Sequence, residues 1–445
     1  MLKDLLLKFF SQLNNESIEY CVVGNYKGLP EYTENDVDIW VDDTDKAGEI
    51  LLSLAKGIGL KLYILNKTAN GTNNYFYVKT RNGIEIIKID LMCETAYKSI
   101  LPLVTSNLIK SNREKYKGFF VANDLIESVM HLLYPLVTFG EVKEKYKEKL
   151  YTFSKSPEYV ELIESILGKK IGARIISEIQ EENWVALQHE AGNVRKYLFK
   201  KTFLNISFFR LKIFINFFIT IFYRTVGKNG IVISFTGIDG AGKTSIKEHL
   251  INNSDKYFTK NRKIEFYWRP FLLPRVAQVI GSKGQKETLD GSGKRVVNSG
   301  LISSFKNLMK YFYYAADFIF GQIKYFKEAH TGGLVIFDRY HFDNIIYPER
   351  FGFKVNRIIM RMFDKVFIPQ PDRLFYFTAD AQVLFDRKHE IDIDEINAQK
   401  KIYSTEMNFN KNVITIDTGC SFNDSINNVL LECLEFMSNR YNKHG

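Results

Sequence analysis

Apolar and polar positions alternate along the chain with two different periods, and the switches between them mark the elements. Met1 to Phe10 is short and amphipathic, which predicts a first helix; Lys3, Asp4 and Lys8 interrupt any signal-peptide core. Ile18 to Gly24 predicts a strand. Asn35-Asp-Val-Asp-Ile-Trp-Val41 alternates with period two and predicts another, as does Ile84 to Leu91. Ala122 to about Ala191 is helical in spacing, most plainly over Leu125–Leu133 and Tyr159–Leu167. A second α/β stretch follows. Ile231 to Phe235 is a β-branched and aromatic run of the kind found in buried strands, and a helix is predicted from about Thr244 to Leu250. Leu301 to Lys327 predicts a very aromatic helix, and Gly333 to Phe337 a buried strand that ends in Asp338.

At 445 residues, with 45% hydrophobic and 25% charged residues and nine prolines, the chain has room for two or three globular domains. The expected fold class is α/β. The expected divisions are 1–121, an α/β domain; 122–200, a helical extension; 201–229, a basic aromatic linker helix; and 230–445, a second α/β domain with a parallel sheet. The four cysteines show no Cys-x-x-Cys spacing, so free thiols and a cytoplasmic location are expected. A net charge of +10 favours anionic partners: nucleotides, acidic lipid surfaces or nucleic acid. Nucleic acid is the weakest of these, because the basic residues cluster at an apolar helix and no base-reading motif accompanies them.

Gly237-Ile-Asp-Gly-Ala-Gly-Lys-Thr244 fits the spacing of a phosphate-binding loop, with a strand before it and a helix after it. Glycines at 237, 240 and 242 let successive backbone N–H groups curl around an anion, with Ser245 next in line. The following helix aims its positive end at the same point. Lys243 is placed to reach the outer phosphates, and Thr244 to hold Mg²⁺ beside ATP. Asp338, at the end of a buried strand, is the expected second Mg²⁺ ligand.

These residues resemble the thymidylate kinase family. Its phosphate loop carries an acid at the place of Asp239, facing the acceptor. Gly333-Leu-Val-Ile-Phe-Asp-Arg-Tyr340 is similar to its Asp-Arg-aromatic motif, Pro371-Asp-Arg-Leu-Phe-Tyr-Phe-Thr378 to its Pro-Asp strand, and Leu384-Phe-Asp-Arg-Lys-His-Glu390 to its arginine-bearing lid. The resemblance covers Gly230 to Gly445. It implies phosphoryl transfer, with Arg339 gripping an acceptor phosphate and Arg387, beside Lys388, neutralising the transferring group. Two departures bear on the acceptor. Tyr313-Tyr-Ala-Ala-Asp-Phe318 has Phe318 where the family has a base-reading arginine, which argues against dTMP. The run after Asp338, with Asp343 and Arg350, resembles a bacterial subgroup fused to nucleotidyltransferase-like domains and associated with surface-polysaccharide biosynthesis. That subgroup implies a sugar, polyol, sugar phosphate or nucleoside phosphate as acceptor, with a lipid-linked form among the choices. A genuine dTMP kinase and a nucleotide-binding scaffold with degenerate sites are the alternatives.

In the first α/β stretch, Asp36 and Asp38 lie two apart and so share one face of an extended strand. Like charges so close favour a bridging cation, and Asp90 on the later strand is available as a third acid. With Gly24-Asn25 after the first strand, this set resembles the nucleotidyltransferase superfamily, which has serine where Asn25 stands. The resemblance implies metal held by Asp36, Asp38 and Asp90.

Between Ala191 and Ile238 there is no carboxylate, while Arg195, Lys196, Lys200, Lys201, Arg210, Lys212, Arg224 and Lys228 fall inside. Within Phe203–Tyr223, a stripe of Asn205, Lys212, Asn216, Thr220 and Tyr223 interrupts a largely apolar helix. Two cations make it a poor membrane span. Two places suit it: packed between domains with its cations reaching outward, or lying on the inner, anionic face of a membrane. A homodimer is also compatible with the sequence.

Overall fold

The computed structural model describes residues 1–445 except 34, 82, 98–100, 205–207, 275–300, 352, 354, 390–391, 408–411 and 443–445. The protein is α/β throughout. It divides into two compact units, one of Met1–Lys79 with Glu85–Val226 and one of Thr80–Ile84 with Gly227–Gly445. The predicted helical extension does not stand apart; it belongs to the first unit, as does the basic aromatic helix up to Val226.

The first unit is built on a seven-stranded mixed sheet. Its strands are β1 (Tyr20–Val22), β2 (Val37–Val41), β3 (Lys61–Thr68), β4 (Gly71–Thr80), β5 (Gly83–Met92), β8 (Arg113–Tyr116) and β9 (Phe119–Ala122), in the order β3-β4-β5-β2-β1-β9-β8. A separate hairpin pairs β6 (Thr95–Tyr97) with β7 (Leu101–Val104). The first helix, Leu2–Asn15, buries Leu2, Leu5, Leu6, Phe9, Phe10 and Leu13, one face at helical spacing. That face joins a core with Val22, Ile39, Leu51 and Ile89 from the strands and the Thr44–Gly57 helix. A second core gathers Trp40 with the inward faces of the Asp124–Phe139, Pro157–Leu167, Lys169–Gln180 and Trp184–Leu204 helices. Asn123 caps the first of these through its side chain, and Gly140 closes it in the left-handed conformation.

The second unit has a five-stranded sheet in the order β11-β12-β10-β13-β14, all neighbours parallel. The strands are β10 (Ile231–Gly237), β11 (Lys263–Tyr267), β12 (Leu334–Asp338), β13 (Arg373–Thr378) and β14 (Val413–Asp417). Every residue of β10 is buried, as befits a central strand covered on both faces. Its C-terminal end and that of β12 therefore lie side by side, at the sheet edge where open α/β folds bind ligands.

The aromatic helix is shorter than its pattern predicts. It runs Leu301–Phe320 and then tightens into a 3-10 turn at Gly321–Lys324. A Cβ on Gly321 would stand 2.5 Å from the Pro270 side chain, so the turn admits the Pro270 ring only because residue 321 has none. Among the described residues, no helix is long and apolar enough to cross a membrane.

Candidate active site

Strand β10 delivers Gly237 into the phosphate loop. Its φ is +138°, and a Cβ there would meet the Phe377 carbonyl oxygen of β13 at 2.3 Å, so only glycine fits. Gly242, with φ +73°, turns the chain into the Lys243–Asn252 helix, whose N-terminal end faces the cavity. A cavity of about 600 Å³ opens here, lined by the loop from Asp239 to Ile246 and by Tyr267, Asp338, Arg339, Arg350, Arg387, Lys388, Thr418, Cys420, Phe422 and Ser425. Thus Asp239, Gly240, Gly242, Lys243, Thr244, Ser245, Asp338, Arg339 and Arg387 come together on one cavity, with Gly237 just behind it.

Lys243 folds back onto its own loop. Its Nζ donates to the carbonyls of Gly237 at 2.9 Å and Ile238 at 2.7 Å. Burial and the neighbouring Arg339 guanidinium lower the pKa of this ammonium to about 8, against the opposing pull of Asp239. Asp239 is the hub of the cationic side. Arg339 Nη2 donates to it at 2.8 Å, Arg350 reaches it at 3.4 Å, and Lys243 lies 3.7 Å away. Burial alone would push the Asp239 carboxyl up, but Arg339, Lys243 and Arg350 outweigh it and hold it below its ordinary value.

Arg339 is 3% exposed and sits at φ +74°, a left-handed conformation that costs a non-glycine residue about 1–3 kcal/mol. Three contacts hold it there. Its N–H donates to the Phe235 carbonyl at 2.8 Å, and its guanidinium bridges Asp239 and the fully buried Asp343. Asp343 also accepts from Thr236 Oγ1 at 2.8 Å and from the Tyr340 N–H at 3.1 Å. It therefore faces inward and positions Arg339 without itself lining the cavity.

Asp338 pairs with Lys247 at 3.4 Å. Lys247 follows Lys243 by one helical turn, a spacing that could have announced it from the sequence. Arg387 ends the short Ala381–Arg387 helix and donates to the Thr418 carbonyl at 2.8 Å, which sets it against the loop after β14. The same helix end approaches Gly240, where a Cβ would meet the Leu384 carbonyl oxygen at 3.0 Å. Mg²⁺ is commonly held by one or two protein oxygens together with substrate phosphates, and Thr244 with Asp338 on one cavity fits that habit.

The Phe318 expectation needs correction. Phe318 is fully buried, packed edge-on against Tyr340 at 4.8 Å and His341 at 5.5 Å. It is core, so its identity says nothing about the acceptor. The neighbouring Asp317 instead pairs with Arg269 at 2.6 Å, both wholly buried.

In the first unit, β2 and β5 run parallel with Asp38 directly beside Asp90. Burial is the main cause of the raised Asp38 pKa, carried to about 7 with the help of Asp36; Asp90 is pushed well up by burial, Asp38 and Asp36. Asp90 Oδ1 is buried without a hydrogen-bond partner. Asp36 stands just before the strand, 3.9 Å from the Lys88 ammonium. Among the described residues, no three His, Cys, Asp or Glu side chains are arranged as a metal-holding group. The adjacent pair Asp38 and Asp90 nonetheless has the donor chemistry a divalent cation takes. Asn25 adopts φ +51° next to Gly24 and is exposed.

No protein-family model matches the sequence, and no curated protein matches it. Among solved structures, a thymidylate kinase from Ehrlichia chaffeensis is similar at 19% identity over 46% of this chain and 97% of its own, with a TM-score of 0.30. A likeness of that size assigns no activity.

Proposed function

We propose that the second unit is an ATP- and Mg²⁺-dependent phosphotransferase whose acceptor is a sugar, polyol, or sugar or nucleoside phosphate. The observation that carries this is the convergence of Lys243, Asp239 and Arg339 on one phosphate-loop cavity. Bound Mg²⁺ would supply charge neutralisation between the outer phosphates, with Thr244 and Asp338 as its protein ligands. Lys243 would leave its two carbonyls for those phosphates. Arg387 and Lys388 add positive charge from beside the loop at Gly240. Asp239, kept ionised by its cationic neighbours, can accept the hydrogen bond of an acceptor hydroxyl and so orient its oxygen for attack. With a phosphate acceptor, Arg339 and Arg350 are the guanidinium forks that would hold it.

The first unit is read as nucleotidyltransferase-like, with Asp38, Asp90 and Asp36 as its acids. The resemblance of both halves to the fused bacterial subgroup supports a place in surface-polysaccharide biosynthesis. The test is an ATP-consumption screen of the whole protein over nucleoside monophosphates, sugars and polyols with Mg²⁺. Turnover dependent on one acceptor class supports the reading and identifies the class; efficient dTMP turnover would replace it with thymidylate kinase. Tight ATP binding with no turnover on any acceptor would leave a nucleotide-binding scaffold instead.

A further inference from the structure

The Phe208–Val226 helix packs with Asn216 and Thr220 inward. It lies against β3, and Thr220, 3% exposed, accepts through Oγ1 from the Ala69 N–H at 3.0 Å. One turn earlier, Asn216 Nδ2 donates to the Asn70 side-chain oxygen at 3.4 Å. At 100° per residue, Asn216, Thr220 and Tyr223 lie on one side of the helix, the last of them 39% exposed, and Phe218, Ile221 and Phe222, flanked by Ile215 and Val226, lie on the other. Those five apolar residues are 40% to 65% exposed, with Phe218 at 64% and Phe222 at 59%. This inverts the usual burial of an amphipathic helix and leaves a run of large apolar side chains in water. Asn205 and the side chains of Arg210 and Lys212 lie outside the described residues.

We infer that this face docks on the surface of an anionic lipid bilayer. Charge complementarity decides the occupant. From Ala191 to Ile238 there are eight basic residues and no carboxylate. Lys228 pairs with Asp372 at 2.9 Å, Arg195 donates to the Val137 carbonyl and Lys201 to those of Ser165 and Ile166, so the cations offered to lipid are the others, Lys196 and Lys200 foremost. On the preceding helix, Phe199 is 53% exposed and stands between exposed Lys196 and Lys200. An apolar, aromatic face within a wholly cationic segment is the pattern of helices that lie in the headgroup layer, where the rings enter the acyl boundary and the cations meet lipid phosphates. A second copy of this segment would bring like charges together. The helix is not long and apolar enough to span. The inference is independent of the proposed catalysis.

The full-length protein, sedimented with vesicles of phosphatidylcholine and phosphatidylglycerol, tests it. Wild type is expected in the pellet, less so with pure phosphatidylcholine and less at high salt. The double variant Phe218→Ser, Phe222→Ser should partition about tenfold more weakly or worse, with an unchanged melting temperature because both side chains are solvent-facing. Absence of wild-type binding overturns the inference, as does equal binding by the variant. A fall in the variant's melting temperature would show the face packed in solution, and a vesicle-free dimer dissolved by the variant would assign it to a second copy; either overturns the inference.

Discussion

Arg339 Nη1 donates to Asp343 Oδ1 at 3.1 Å across one turn of chain, and this bond ties the strained end of β12 to a buried carboxylate behind the cavity. The Arg339 guanidinium is only 4% exposed, so its charge depends on two carboxylates, Asp343 below and Asp239 in front. Asp343→Ala is therefore expected to cost about 3 kcal/mol of stability, the usual penalty for stripping a partner from a buried charge. Asp343→Asn keeps an acceptor oxygen and should cost less. Urea unfolding of the two variants measures the difference; equal stability with wild type for both would remove Asp343 from the positioning role.

Lys243→Ala is expected to abolish ATP turnover while leaving the fold intact. The buried ammonium is held by two loop carbonyls with Asp239 3.7 Å away and carries a lowered pKa, so burial of its charge is unfavourable on balance. Its removal should cost little stability, under about 1 kcal/mol. A folded variant that turns over ATP at the wild-type rate would refute the phosphate-loop assignment.

The same lysine sets a pH dependence. In the free protein its pKa lies near 8, and bound polyphosphate would raise it again. Affinity for ATP should then be level below about pH 8 and weaken as pH climbs through the higher value in the complex, by up to about tenfold per pH unit. Calorimetry with a non-hydrolysable ATP analogue between neutral and alkaline pH would show the weakening together with proton uptake. A flat profile would mean that Lys243 does not meet the phosphates.

Much of this site was legible because its signals are local. The glycines, Lys243 and Thr244 act within one turn of a strand–loop–helix unit, and a buried strand ending in Asp338 fixes which sheet edge they share. What was not legible depends on which way a helix faces. Phe318 sits in a motif-like run, yet the sequence could not say that its side chain turns into the core against Tyr340 and His341. The stripe announced an amphipathic helix, but not that Asn216 and Thr220 would turn inward, because their partners at Ala69 and Asn70 are distant in sequence. Arg350 came only from the resemblance, and its reach to Asp239 needed the fold.

Register, by contrast, joins Asp38 to Asp90, and the last prediction concerns that pair. Two half-buried carboxylates on adjacent parallel strands, with Asp36 adding a third charge, disfavour each other's ionisation. Asp90 Oδ1 has no hydrogen-bond partner, and the Asn73 hydrogen bond and the Lys88 charge only partly offset the burial of the carboxylate. Mg²⁺ or Mn²⁺ should therefore raise the melting temperature of the first unit within the whole protein, by linkage to the native state. Asp38→Asn with Asp90→Asn should raise the metal-free melting temperature, because it removes the repulsion, and should erase the response to metal. Scanning calorimetry with and without Mn²⁺ separates the two effects. If metal does not move the transition of the wild-type protein, these acids are not a metal site and the first unit serves as a scaffold. If metal binds but no triphosphate is consumed, Asn25→Ser tests whether the departure at the Gly24-Asn25 turn is the reason, and recovery of transfer in that variant would locate the defect there.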